Sequence, residues 1–453
     1  MTGPATGAAP GPVTVPTHWY NVVAELAGYV AEERRPALQP GRHGIRPQLP
    51  LSIYRQSVSD EPFIEIPAAV RAEYERWRPT PLVRAHRLER LLGTPARIYY
   101  KCEAASPSGS HKLNSAIAQA YYYKKAGIRG LVTGTGAGQW GTALSMACAA
   151  YDLELTVYMV RCSYEQKPQR RVLMELNGAR VLPSPSTTTE AGRSILAADP
   201  DCPGSLSVAS SEAHEIAQEG DGIRYSAGSG DNHVLLHQTV IGQEAVAQMA
   251  ALGEHADTVV AALGAGSNFA GIAMPFHRQS RLTGRPTRLV AVEPTSCPKL
   301  TRGVYAWDHH DALGNTPMSK MYTLGHTFIP SPIHAGGLRY HGAAPVISWM
   351  YREGLIDAVA CGQHQVFEAG VTFARAEQLI PAPESAHAIA HVIDRAIRAR
   401  ETGTPETILF NLSGHGLMDL GSYDKYLNGL LESDAAAEAE VEQALSRLAT
   451  AGV

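Results

Sequence analysis

Charge is scarce in this chain and one-sided charge is absent. Only 18% of its 453 residues are charged, and 39 Lys and Arg nearly balance 43 Asp and Glu, for a formal net charge of −4. A chain without a basic excess lacks the electrostatic footprint for nucleic acid or an anionic membrane, so neither is expected as its main partner. Cysteine is also sparse. Cys102, Cys148, Cys162, Cys202, Cys297 and Cys361 are scattered, without the paired spacing of a metal site. That argues against a disulfide framework and a cysteine-held metal, and makes a reducing cytoplasm the expected location. No apolar run reaches the roughly 20 residues of a transmembrane helix. The opening 16 residues are rich in Gly, Pro, Ala and Thr and lack the basic and apolar regions of a signal peptide. A disordered tail over 1–17 is the expectation. No internal repeat is visible.

What is present is length, glycine and alternation. A chain of 453 residues is long for one domain. Its 42 glycines suit an α/β protein with many tight loops. From residue 96 short apolar runs alternate with amphipathic patterns: strands at 96–101, 130–133, 155–160 and 179–182, and helices at 113–125, 142–151 and 169–177. This pattern means a parallel sheet covered on both faces. The stretch 200–231 shows little periodicity and is expected to wrap the surface. A second run follows, with helices at 234–249, 269–279, 366–378 and 385–398 and strands at 258–263, 289–292 and 407–410. The stretch 295–342 is irregular and reads as a lid or site wall. Before the first strand, 19–30 and 66–77 look helical and 36–50 reads as loop. The end, 434–448, reads as an amphipathic helix or frayed tail. The fold class is therefore α/β, with two intimately packed parallel-sheet domains. Expected boundaries are an N-terminal segment over 18–95, a first domain over 96–232 with a mobile closing region, a second over 233–430, and a terminal helix or tail over 431–453.

Four short stretches carry chemistry. The run SPSGSHKLN (106–114) presents His111 and Lys112 on a turn that leads into a helix. A lysine at the positive end of a helix dipole is favoured as the neutral amine, the form that condenses with an aldehyde. The run LGAGSN (263–268) joins a strand to a helix N-terminus and makes a phosphate cradle of backbone N–H groups from Gly264, Ala265, Gly266, Ser267 and Asn268. The run TGAGQ (135–139) is a second such loop: Thr135, Gly136, Ala137, Gly138 and Gln139 suit a small anion such as a substrate carboxylate. The run NLSGHG (411–416) follows a strand and offers the hydroxyl of Ser413. Each glycine loop alone is a weak signal, since glycine also serves plain turns. Both expected loops fall at the carboxyl ends of strands, where ligands sit in such sheets. Together the four describe a site for pyridoxal 5'-phosphate.

The chain also resembles the tryptophan synthase β chains of the second type, which look independent of an α subunit. The resemblance rests on WRPTP (77–81), SHK (110–112), GAGQWG (136–141), YMVR (158–161), SYEQKP (163–168), LLHQTVIG (235–242), HAGGLRYHG (334–342), PAPESAH (381–387) and NLSGH (411–415). It implies the fold-type II pyridoxal-phosphate architecture, a homodimer, and β-replacement on L-serine through an aminoacrylate, joining an aromatic nucleophile to give L-tryptophan or a related amino acid. An α-subunit partner is doubtful, because second-type chains lack the usual partner surface. Lys112 becomes the Schiff-base lysine, the base at the substrate α carbon. His111 flanks the cofactor. Ser413 meets the pyridine nitrogen, and its neutral hydroxyl keeps the ring a weaker electron sink. Glu377 lies beside the ring, and Arg339 helps close the site, with a carboxylate as its expected partner. His387 reads equally well as a core histidine. Serine or threonine dehydration and thiol β-replacement are the alternative reactions.

Two positions depart from the family pattern. Ala265 stands in the phosphate loop where glycine is usual, a mild departure that a negative φ tolerates; the second is the important one. Before the carboxylate-loop threonine the family carries a glutamate, which assists departure of the serine hydroxyl and takes the proton from indole. Here that place is Gly134. Loss of such a group removes an acid–base contribution of typically 10²- to 10⁴-fold and is expected to vacate side-chain volume. Three readings stay open: a different nucleophile (a phenol, a substituted indole, or indole reacting at another atom), ordinary chemistry with a recruited base such as Glu103 or a water, or a weakened paralogue kept as a binding protein.

Overall fold

Runs such as TVVAA and TILFNL are β-branched or apolar at nearly every position, so they are stable only with both faces covered. The computed structural model places them accordingly, and describes residues 12–33, 48–432 and 435–450. Six strands form one sheet, in the order Asp357–Cys361, Arg288–Pro294, Thr258–Ala262, Thr407–Leu412, Arg97–Cys102 and Leu82–Arg84. All neighbours run parallel except the last pair, at the edge. Four strands form a second, wholly parallel sheet, in the order Arg180–Ser184, Glu154–Val160, Gly130–Thr135 and Ile223–Tyr225. A continuous buried cluster includes Leu131 and Val157 of the smaller sheet and Val259, Ala261 and Leu409 of the larger. The two sheets therefore share a core, as intimate packing requires.

Arg97–Cys102, expected to open the first domain, lies in the six-stranded sheet, hydrogen-bonded to Thr407–Leu412. Its adjacent residues Tyr99 and Tyr100, on opposite faces, have the same two-sided burial as the later strands, so local pattern offered no reason to move it.

Three further stretches are corrected. Within 200–231, expected to be irregular, lie the helix Leu206–Glu219 and the strand Ile223–Tyr225. The helix starts at the N-cap Ser205, whose hydroxyl accepts from the Val208 N–H. Its inward face is Ser207, Ala209, Ser210, Ser211 and Ala213, too polar and too small to read as an apolar stripe. The N-terminal stretch expected to be helical is a strand, His18–Tyr20, a single 3₁₀ turn, Val22–Glu25, and a short helix, Ala27–Glu33. The irregular 295–342 contains an antiparallel hairpin, Val304–Asp308 with Ser319–Thr323, and the 3₁₀ turn Gly336–Leu338. Most of the expected tail and of the expected 36–50 loop lies outside the described residues. At the other end the helix Ala435–Thr450 is docked, burying Val441 and Ala444 near Cys297 and Phe328. Among the described residues no helix is long and apolar enough to cross a membrane, and all six cysteines are unpaired.

Candidate active site

The carboxyl ends of strands from both sheets open onto one cavity of about 330 Å³. Lys112 lies on its wall, at the N-cap of the helix Leu113–Lys125, with its ammonium donating to the Gly228 carbonyl at 2.9 Å. Burial pulls its pKa down to about 8, opposed by the nearby Glu384 carboxylate. Desolvation, rather than the helix dipole expected from sequence, is thus the main cause of a ready neutral amine.

The lysine turn is fixed to two of the other predicted stretches by His111. Its Nε2 lies 3.1 Å from the Ser267 hydroxyl, its Nδ1 3.3 Å from the Ser413 carbonyl, and its backbone N–H donates to that same carbonyl. Burial, then the neighbouring Lys112, hold the imidazole down to about 3, so it is neutral. The Ser413 hydroxyl lies 2.8 Å from that of Ser385. Asn268 faces the frame instead: it donates to the Ala262 carbonyl and accepts from Asn411.

Both glycine loops present free donors. Among the described residues, the backbone N–H groups from Gly264 to Phe269 and from Gly136 to Trp140 have no protein acceptor. The first set opens the helix Ser267–Thr283, the second the helix Gln139–Ala150. Unpaired donors at helix N-termini, beside a lysine and a buried hydroxyl, fit an aldehyde cofactor carrying a phosphate, with a second small anion alongside. The 3₁₀ turn Gly336–Leu338 is wedged against both loops. A Cβ at Gly136 would stand 2.8 Å from the Gly336 carbonyl oxygen, and one at Gly264 2.6 Å from that of Gly337. Ala265 carries its Cβ without a left-handed backbone, as the sequence required.

Two predicted residues are not brought to the cavity as expected. Glu377 ends the helix Gln363–Glu377 and accepts the Leu88 N–H at 2.8 Å, so it caps another helix. The glutamate near Lys112 is Glu384, whose carboxylate accepts from Gln139 Nε2 at 3.2 Å and the Gly337 N–H at 2.8 Å. It lies inside PAPESAH, in the first turn of the helix Pro383–Thr402, where a carboxylate suits the dipole. Arg339 is buried and finds no carboxylate among the described residues; it donates to Cys162 Sγ and the Pro330 carbonyl. His387 is a buried residue bonded to the Pro383 carbonyl, away from the cavity.

Gly134 does line the cavity, but the volume expected to be vacant is filled. A Cβ there would stand 2.9 Å from the Ala209 carbonyl carbon and 3.0 Å from the Ser210 nitrogen. The backbone of the helix Leu206–Glu219 lies where a side chain would begin. Glu103 is also no recruited base: it is fully buried, clamped by Arg78, Thr80 and Asn114, and held down to about 2 by that guanidinium despite its burial.

A cavity at the strand ends of an open α/β sheet, with a depressed lysine and two anion loops, defines a pyridoxal-phosphate enzyme, and the family model "Pyridoxal-phosphate dependent enzyme" matches residues 74–414. The solved threonine deaminase of T.th. has the same fold, with a TM-score of 0.56 at 20% identity, over 77% of this chain and 97% of that one. Maize serine racemase gives 0.54 at 15%, over 80% and 98%. Among curated proteins, the tryptophan synthase beta chain 2 of Aquifex aeolicus is 53% identical over 427 residues, covering 92% of this chain and 97% of that protein. That of Thermotoga maritima is 53% identical over 418 residues, covering 91% and 98%. The chain belongs to the tryptophan synthase β family of pyridoxal-phosphate dependent enzymes.

Proposed function

We propose that the protein catalyses β-replacement on L-serine, joining it to an aromatic nucleophile to give L-tryptophan or a related aromatic amino acid. The observation that carries this reading is the convergence of Lys112 and two unpaired N–H loops on one cavity, in a chain about half identical to tryptophan synthase β chains. Pyridoxal phosphate, when bound, supplies an aldehyde for the lysine and an electron sink for the substrate's α carbon.

The chain's own residues divide the remaining work. Gly264, Ala265, Gly266, Ser267 and Asn268 offer donors to the phosphate. Thr135, Gly136, Ala137, Gly138 and Gln139 offer donors to the serine carboxylate. Lys112 Nζ, neutral above about pH 8 and partly so below it, takes the proton from the serine α carbon and returns it. Glu384 holds Gln139 and the Gly337 N–H in place and favours the protonated lysine as it forms. Ser413 would offer a neutral hydroxyl to the ring nitrogen of the bound cofactor, with Ser385 bonded to that hydroxyl.

We further propose that Gly134 occupies the place of the family's catalytic glutamate, that the nucleophile is consequently altered, and that the enzyme is a homodimer working without an α subunit. The test is loaded enzyme with L-serine and a panel of indoles, phenols, anilines and thiols, products read by mass. Preference for a nucleophile other than unsubstituted indole supports the altered choice, and L-tryptophan as the best product removes it. Pyruvate and ammonia alone would make the enzyme a dehydratase instead.

A further inference from the structure

An aromatic nucleophile that joins the serine β carbon must lose one proton, and the end of the strand Gly130–Thr135 offers no side chain to take it. The other titratable groups on the cavity wall differ sharply in availability. Both ring nitrogens of His310 are occupied, by the Tyr340 hydroxyl at 3.2 Å and the Ser319 hydroxyl at 2.9 Å. Tyr340 in turn donates its proton to the His310 carbonyl. Glu384 is not on the wall itself but is engaged on two wall residues, Gln139 and Gly337. Asp231 is exposed, at the border with a second, more open cavity.

His214 is different. It is partly buried and lines the cavity, and neither ring nitrogen has a hydrogen-bond partner among the described residues. It lies one helical turn beyond Ser210, also on the cavity wall, on the very helix whose backbone covers Gly134. Its ring is stacked on Tyr225 with centroids 3.8 Å apart and planes 26° apart, which fixes its plane. We propose that the imidazole of His214 is the proton acceptor for the incoming nucleophile, and that this nucleophile is an aromatic ring bearing an N–H or O–H group. The inference rests on the β-replacement reading above.

Burial holds this imidazole down to about 4, opposed by the Asp311 and Asp231 carboxylates, so it is neutral at pH 7 and able to accept. Those two carboxylates favour the imidazolium once the proton arrives. Over a turnover the serine Cβ–O bond breaks, its electron pair leaving with the hydroxyl, which gains a proton and departs as water. The nucleophile's electron pair makes the new bond to Cβ. The proton it sheds passes to His214 and then to solvent, which balances the one consumed in forming water.

The experiment compares loaded wild type with His214→Gln and His214→Phe, the latter retaining a ring to stack on Tyr225. With L-serine alone, both variants are expected to show the serine-induced absorbance change. With indole or phenol added, product formation should fall by about 10²- to 10³-fold and the pyruvate share rise. Independently of turnover, the His214 ring-nitrogen NMR signal should shift when indole or phenol is added without serine. Product formation within threefold of wild type in His214→Gln, or an unmoved ring-nitrogen signal, overturns the proposal. So does loss of the serine response together with product, which would make His214 merely structural. Absence of a serine response in wild type would instead overturn β-replacement itself, so the two failures are distinguishable.

Discussion

Lys112 is where the chemistry converges, and its titration is directly measurable. With its pKa lowered to about 8, the rate of cofactor attachment to the cofactor-free protein should rise with pH up to about 8 and then level off, followed by absorbance. Lys112→Arg should abolish attachment. Since Glu384 is the group that raises this pKa, Glu384→Gln should move the curve to lower pH; an upward move would contradict the placement. The lysine, both loops and Ser413 were legible in sequence because each is a local signal: a turn before a helix, or glycines after a strand. Choosing between Glu377 and Glu384 was not, because the two lie seven residues apart on neighbouring helices, and which one turns toward the lysine is decided by packing. The partners of Arg339 were not legible for a related reason, since its bonds to Cys162 and Pro330 emerge only when the chain around them is folded.

At the scale of elements, the helix Leu206–Glu219 was missed from sequence and helps to shape the cavity. Its serines hide the periodicity: Ser211 is buried by bonding Asp311 at 2.8 Å, a partner 100 residues away. The central parallel strands, by contrast, were legible because two-sided burial demands unbroken apolar runs, while the less buried edge strands Ile223–Tyr225 and Asp357–Cys361 lack that signal. The close seat of this helix on Gly134 makes a stability prediction. Gly134→Ala should cost about 1–3 kcal/mol in urea unfolding, the usual penalty for overpacking. Gly134→Glu should require the helix to shift, so a simple return of the carboxylate is expected to lose stability as well as alter specificity. A neutral effect of the alanine would show that the helix can retreat freely.

For the whole molecule, a buried ionic knot connects the segment before the first long strand to the end of the strand Arg97–Cys102 and to the helix Val240–Ala251. Arg78 bonds Glu103 and Glu244 with paired contacts of 2.9–3.0 Å, and Lys101 reaches Glu244 at 2.7 Å, all four side chains being fully buried. Removing one partner leaves an uncompensated charge, so Glu103→Gln should destabilise the fold by about 3–5 kcal/mol, read by denaturant melts. Glu103 has a folded pKa near 2, below its unfolded value. Its contribution is therefore intact above about pH 4.5 and lost as pH falls toward 2, and the variant's deficit should shrink across that window. Neither this knot nor the strand Arg97–Cys102's place in the larger sheet could be read from local pattern, because both depend on which distant segments meet.

The turn Gly336–Leu338 touches the loop offered to the phosphate through one carbonyl and the loop offered to the carboxylate through the next. A ligand that displaces the turn from one loop must change what the other loop meets. Occupancy of the two subsites is then thermodynamically linked: whatever factor one anion exerts on the affinity of the other is returned in full. Inorganic phosphate titrated against the cofactor-free protein, with and without serine, should therefore give two different dissociation constants. Serine titrated with and without phosphate should reproduce the same ratio.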